Sequence, residues 1–235
     1  MPRVTEFAPL ERAALADLMQ ELGPDAPTLC EGWTTRDLAA HLVVRATRAD
    51  AAAGIMIPGL AGHTKRVQDR VAGQEWSTLV RQVRHRPWWA ALSDEAFNRV
   101  EYFVHHEDIR RAQPGWRPRE LSEEFSAALW SRVRAQAKLV LRKTPANVSV
   151  TATGFAGGDQ RGNLAGGDQR GNLAGGDQRG NLGTVTAGRG GPAVALTGPP
   201  QELMLFLTGR QPHALVELAG PDAITARMRT ARYGI

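Results

Sequence analysis

Apolar residues recur at intervals of three and four through most of the first 140 positions, and after residue 143 that rhythm gives way to alternation. Positions 10, 14, 15, 18 and 22 mark one apolar face between residues 9 and 22, and Gly23-Pro24 stops the helix it predicts. Thr34-Thr35-Arg36-Asp37 predicts the start of a second helix, a hydroxyl N-cap followed by an acidic residue. That helix places Leu38, His41, Leu42 and Arg45 on one face. A stretch punctuated by Gly54, Pro58, Gly59 and Gly62 reads as a loop, and a short helix is expected near residues 65–71. Further helices are predicted at 77–86, stopped by Pro87, and at 94–112, stopped by Pro114-Gly115. A last long one spans 120–141, with Leu121, Phe125, Leu129, Val133 and Ala137 at spacing four.

Beyond that point, residues 147–153, 184–186 and 193–197 read as strands, with Val148 and Val150 alternating with polar neighbours. Residues 199–207 have a helical pattern ending at Gly209. A short strand is expected at 213–218 and a final helix at 221–230. The expected fold class is therefore α+β: a helical bundle over residues 1–143, then a small α+β unit over 144–235. Inside the second unit, Ala-Gly-Gly-Asp-Gln-Arg-Gly-Asn-Leu runs three times without a change, from 156 to 182. The period of nine is that of calcium-binding β-rolls, but glycine stands where the ligand aspartate belongs (Gly162, Gly171, Gly180), and three copies are few for a stacked roll. The repeat reads as a Gly-rich lengthening of a hairpin loop.

The helix predicted at 94–112 carries Glu101-Tyr-Phe-Val-His105-His106-Glu107-Asp108. Glu101 and His105, four apart, project from one face beside the apolar positions Phe97, Val100, Val104 and Ile109. A carboxylate and an imidazole so placed must be paired, hydrogen-bonded or bound to a metal. Zn²⁺ is the kind of borderline ion that such donors suit. His41 repeats the oddity between Leu38 and Leu42, and two helices each directing polar groups inward suggest one shared site. Periodicity alone leaves two readings open: a metal held by His41, Glu101 and His105, or a Glu–His hydrogen bond beside a satisfied core histidine. His106 points about 100° away from its neighbour and is expected outside any such ligand set, at the surface or in a supporting position. Asp108 is expected to hydrogen-bond a ligand histidine or to pair with Arg111 or Arg45. Cys30 reads as a small buried apolar residue, and Trp88-Trp89 as packing.

The net charge of +5 invites a nucleic-acid reading, but the arginines are scattered, lysine occurs only at 65, 138 and 143, and no helix-turn-helix or zinc-finger spacing is present. No apolar run reaches the roughly 20 residues that a membrane-spanning helix needs. The N-terminal stretch has no apolar signal core, and a single cysteine allows no intrachain disulfide. A cytoplasmic location is expected, with no membrane partner.

Residues 29–45, Leu-Cys-Glu-Gly-Trp-Thr-Thr-Arg-Asp-Leu-Ala-Ala-His-Leu-Val-Val-Arg, and the stretch from Glu101 to Trp116 resemble two signatures of an actinobacterial family. This family comprises DinB-like metal-binding proteins related to mycothiol-dependent maleylpyruvate isomerase. Leu196-Thr-Gly-Pro-Pro and Leu203-Met-Leu-Phe-Leu-Thr-Gly-Arg210 resemble its C-terminal segment. The resemblance implies an N-terminal DinB-like four-helix bundle and a divalent metal, usually zinc, held by His41, Glu101 and His105. Two histidines and a glutamate leave coordination open, as catalytic zinc sites do. The resemblance further implies that water or the low-molecular-weight thiol mycothiol fills the open position, a metal-bound thiol being acidic enough to act as a nucleophile. The expected function is a metal-dependent mycothiol transferase or isomerase acting on a small electrophilic substrate. Arg45 is expected to meet an anionic group of substrate or cofactor, and Asp108 to support the chemistry. A metal-dependent hydrolase and a non-catalytic metal- or ligand-binding protein are the alternatives.

Overall fold

The computed structural model describes residues 7–48, 61–85, 95–154 and 182–233. The Gly54–Pro58–Gly59 loop, Pro87, Trp88-Trp89 and the repeat up to residue 181 lie outside the described residues. The protein is of mixed helix and strand and divides into two compact units, Met1–Glu120 and Leu121–Ile235.

The first unit is helical, with α1 (Phe7–Leu22), α2 (Thr35–Thr47), α3 (Ala61–Ala72), α4 (Trp76–Arg84) and α5 (Glu95–Arg110). Helix α1 packs on α5 and α4, and α2 packs on α3 and α4. The core between them holds Leu15 and Met19 of α1, Leu38 and Leu42 of α2, Leu79 and Val83 of α4, and Tyr102 and Ile109 of α5. Helix α2 starts where its sequence says it should: the Asp37 carboxylate accepts from both the backbone N–H and the hydroxyl of Thr34, each at 2.9 Å. Its first turn is anchored further by Arg36, which donates to the carbonyls of Ala72 and Gln74 at 2.8 and 2.9 Å and lies over the Trp76 ring. Helix α3 is longer than residues 65–71 and begins at Ala61. Glu75 caps α4 by accepting from the N–H groups of Ser77 and Thr78.

The second unit opens with α6 (Glu123–Val140), a helix that its periodicity alone groups with those before it. Its buried residues Phe125, Leu129, Trp130, Val133 and Ala137 explain the difference. Helix α6 packs on α7 (Pro200–Leu207) and against the sheet, and Trp130 donates to the Leu182 carbonyl. The sheet has the order β2-β1-β3-β4, from β1 (Asn147–Ala152), β2 (Gly183–Ala187), β3 (Ala193–Gly198) and β4 (Glu217–Ala219). Strand β1 is antiparallel to β2 and parallel to β3, with Val150 opposite both Val185 and Leu196, so one face is a continuous apolar layer. The strand expected at 213–218 is only partly formed. Pro212 lacks an amide hydrogen to donate and sits in a 3₁₀ turn (Gln211–His213), leaving Glu217–Ala219 to pair with β3. The chain ends on α8 (Asp222–Thr230). Among the described residues no helix is long and apolar enough to cross a membrane.

Helix α7 stops at Gly209, whose φ of +93° lies in the left-handed region, while the Arg210 N–H returns to the Leu205 carbonyl at 2.9 Å. A Cβ at position 209 would also run into the Tyr233 carbonyl oxygen. Gly209→Ala is expected to lower stability by about 1–3 kcal/mol, read as a fall in the urea midpoint at unchanged slope.

Candidate metal centre

Every residue of α5 from 101 to 109 is buried, yet five of them are acids or histidines: Glu101, His105, His106, Glu107 and Asp108. Burying a charged group is expensive unless another group compensates it. The helix therefore needs polar partners on more than one side, and it finds them in two separate clusters.

The first cluster faces α2. His41 Nε2 lies 3.6 Å from Glu101 Oε1, and His105 Nε2 lies 3.3 Å from the same oxygen. The His41 and His105 rings stand edge to face, 5.5 Å between centroids, and the ligand atoms of the three residues all fall within 4.8 Å of one another. On the far side of its ring, His105 Nδ1 is 2.9 Å from Asp108 Oδ2, so the ring is held between two carboxylates, with Nε2 facing Glu101. Arg45 Nε is 3.3 Å from Glu101 Oε1, and Trp33 packs its ring 5.2 Å from that of His41. The side chains of Glu101 and His105 are 4% and 7% exposed while those of His41 and Arg45 are 12% and 22%, so solvent reaches the cluster from the α2 side.

Burial and neighbouring charges shift the three groups in different directions. Burial lowers the pKa of His41, and the charges of His105 and Arg45 lower it further against Glu101, which favours the neutral imidazole a metal needs. Burial would raise Glu101, but hydrogen bonds from His105 and His41 and the nearby Arg45 hold it far below the ordinary carboxylate range. Burial would lower His105, yet Asp108, Cys30 and Glu101 outweigh it and raise its pKa well above the usual imidazole value. A metal ion bound at His105 would have to displace that proton.

Two donor sets share His105, and distance separates them. The alternative set is Cys30, His105 and Asp108. A tetrahedral ion with bonds of roughly 2.0–2.1 Å sets its nitrogen and oxygen ligands about 3.3–3.4 Å apart. The 3.3 and 3.6 Å separations about Glu101 Oε1 fit such an edge. About Asp108 Oδ2 the separations are 2.9 Å to the ring nitrogen and 3.3 Å to the Cys30 sulfur, which are hydrogen-bond lengths. The group that could hold a metal ion is thus His41, Glu101 and His105, with Asp108 orienting one ligand and Arg45 beside another. The sequence pattern brings these five residues together, and the contact of Cys30 with Asp108 is an addition to it.

The second cluster lies on other sides of α5. Glu107 receives Arg110, Arg111 and Arg119 at 2.8, 2.7 and 2.7 Å. Arg119 also donates to Glu11 of α1 at 2.9 and 3.0 Å, and His106 Nδ1 is 3.2 Å from Glu11 Oε2. Arg111 lies over the Trp116 ring and Arg119 over Phe103. His106 is therefore buried in an ion-pair network rather than placed at the surface. This network was not read from the sequence, although one signal was present. Glu11 falls on the buried stripe of α1 with Ala8 and Leu15, where an acid requires a partner.

No protein-family profile matches the chain, and neither curated proteins nor solved structures include one significantly similar to it.

Burial would raise the pKa of Glu11, but hydrogen bonds from His106 and Arg119, together with their charges, leave it below the ordinary glutamate value of 4.5. A depressed carboxylate contributes stability that is complete above its unfolded pKa and is lost as pH falls through the folded one. Wild-type protein should therefore lose melting temperature on acidification below about pH 4.5 more steeply than Glu11→Gln does. Parallel pH profiles of the two proteins would show that Glu11 contributes nothing.

Proposed function

We propose that the protein is a divalent-metal-dependent enzyme of the DinB-like kind, related to mycothiol-dependent maleylpyruvate isomerase, with zinc held by His41, Glu101 and His105. The observation that carries the reading is the convergence of two imidazole Nε2 atoms on one buried carboxylate oxygen at 3.6 and 3.3 Å. The packing of α1 with α4 and α5, and of α2 with α4, supports a four-helix reading of the first unit.

When bound, such a metal supplies Lewis acidity towards a thiol or a water molecule. The protein's own groups do the rest. Asp108 keeps the His105 ring oriented through Nδ1. Arg45, one turn beyond His41 and more exposed than the ligand residues, is placed to receive an anionic group of the substrate or of mycothiol beside the centre. The Trp33 ring packs beside that of His41. With one cysteine in the chain, 3.3 Å from a carboxylate, the nucleophilic thiol in this reading comes from the low-molecular-weight cofactor, and the substrate is a small electrophile.

Purified protein is expected to bind one equivalent of zinc by elemental analysis. His41→Ala and Glu101→Gln should each abolish stoichiometric binding while the helical circular-dichroism signal persists. Full zinc content in both variants would sink the centre. Turnover of an electrophile by the zinc form should require mycothiol, and equal turnover without any thiol would replace thiol transfer by hydrolysis.

A further inference from the structure

Asp108 is 0% exposed and makes contacts that reach both ligand-bearing helices. Through Oδ2 it takes the His105 Nδ1–H at 2.9 Å and the Cys30 thiol at 3.3 Å. Through its main-chain carbonyl it accepts from the Leu29 N–H at 2.9 Å. Leu29 and Cys30 belong to the turn that launches α2. Within that turn, Trp33 N–H donates to the Cys30 carbonyl, the Thr28 hydroxyl to the Trp33 carbonyl, and Pro27 bridges Thr34, the residue that caps α2. Two further bonds, Thr35 N–H to the Ala26 carbonyl and Gln113 Nε2 to the Pro27 carbonyl, hold the same turn to α2 and to the segment after α5. A connected path therefore runs from His105, through Asp108 and the Cys30–Trp33 turn, to His41 two helical turns into α2.

We infer that Asp108 is a positioning residue that sets the two halves of the metal centre against each other, fixing the His105 ring by its carboxylate and the start of α2 by its contacts with Leu29 and Cys30. This inference rests on the proposed zinc reading and goes beyond it. It assigns Cys30 a role as a donor to Asp108, and it makes the spacing between His41 and the Glu101–His105 pair depend on a residue that is not a ligand. A buried acceptor of this kind is worth roughly 10–100-fold in metal affinity. A carboxamide at position 108 keeps one oxygen that can accept from both Nδ1–H and the Cys30 thiol, as Oδ2 does, so it should preserve the arrangement.

The test uses the full chain, with zinc and a thiol-alkylating reagent as the probes. Asp108→Ala should weaken zinc binding roughly 10–100-fold, and Asp108→Asn should restore most of that loss. In metal-free protein, alkylation of Cys30 by iodoacetamide should become several-fold faster in Asp108→Ala and stay near the wild-type rate in Asp108→Asn. Circular dichroism and melting of each variant separate a local change from failure to fold; should Asp108→Ala not fold, the same comparison is made with Asp108→Ser. Zinc affinity equal to wild type in the alanine or serine variant, or an asparagine variant as weak as these, would overturn the inference while leaving the His41–Glu101–His105 centre intact. Wild-type protein that binds no zinc, with Cys30 still released by loss of the carboxylate, would instead overturn the metal reading and uphold the positioning path.

Discussion

The first unit depends on one constraint: α5 is wrapped by protein on all sides over residues 101–109 while carrying five acidic or histidine side chains. A helix turns 100° per residue, so adjacent polar groups cannot share one partner. Glu101, His105 and Asp108 gather on one stripe and are answered from α2 and the turn before it. His106 and Glu107 are answered from α1 and from the arginines at 110, 111 and 119. Each set needs the other, because removing one partner from a buried pair leaves a charge uncompensated at a cost of about 3–5 kcal/mol. The ion-pair network thereby holds the roll of α5, and the roll of α5 aims Glu101 and His105.

Helices and strands were legible in the chain to within a few residues, since each depends on a local rhythm and on stops such as Gly23-Pro24 and Pro114-Gly115. The cluster of His41, Glu101 and His105 was legible for a related reason. Polar residues at helical spacing inside an apolar stripe announce themselves without any knowledge of the partner. Partners remote in the chain were not legible. Nothing local in Arg119 indicates that it spans Glu107 and Glu11, and nothing in Cys30 indicates Asp108. The grouping of α6 with the sheet was hidden likewise, because an apolar stripe states that it is buried and not against what. At 213–216 the alternation of the side chains was outvoted by Pro212.

The candidate centre also shows how one imidazole can be committed at both nitrogens. His105 sets Nδ1 against Asp108 and turns Nε2 towards Glu101, so its ring orientation is settled by a neighbour one helical turn away. His41 shares the Glu101 carboxylate at the longer distance of 3.6 Å and is the more exposed of the two rings. The asymmetry gives the site a fixed wall on α5 and a more accessible one on α2, which is where Arg45 and Trp33 stand.

The 100° turn per residue also separates two kinds of change that the chain can undergo. Substitution within 101–111 alters one partner at a time. A single inserted or deleted residue there would rotate every later side chain into its neighbour's surroundings, presenting His106 where His105 belongs and offering arginines to the wrong acids. That segment is consequently locked in length as well as in composition. The threefold nonapeptide between 156 and 182 stands in contrast, a stretch in which the same nine residues recur without a change.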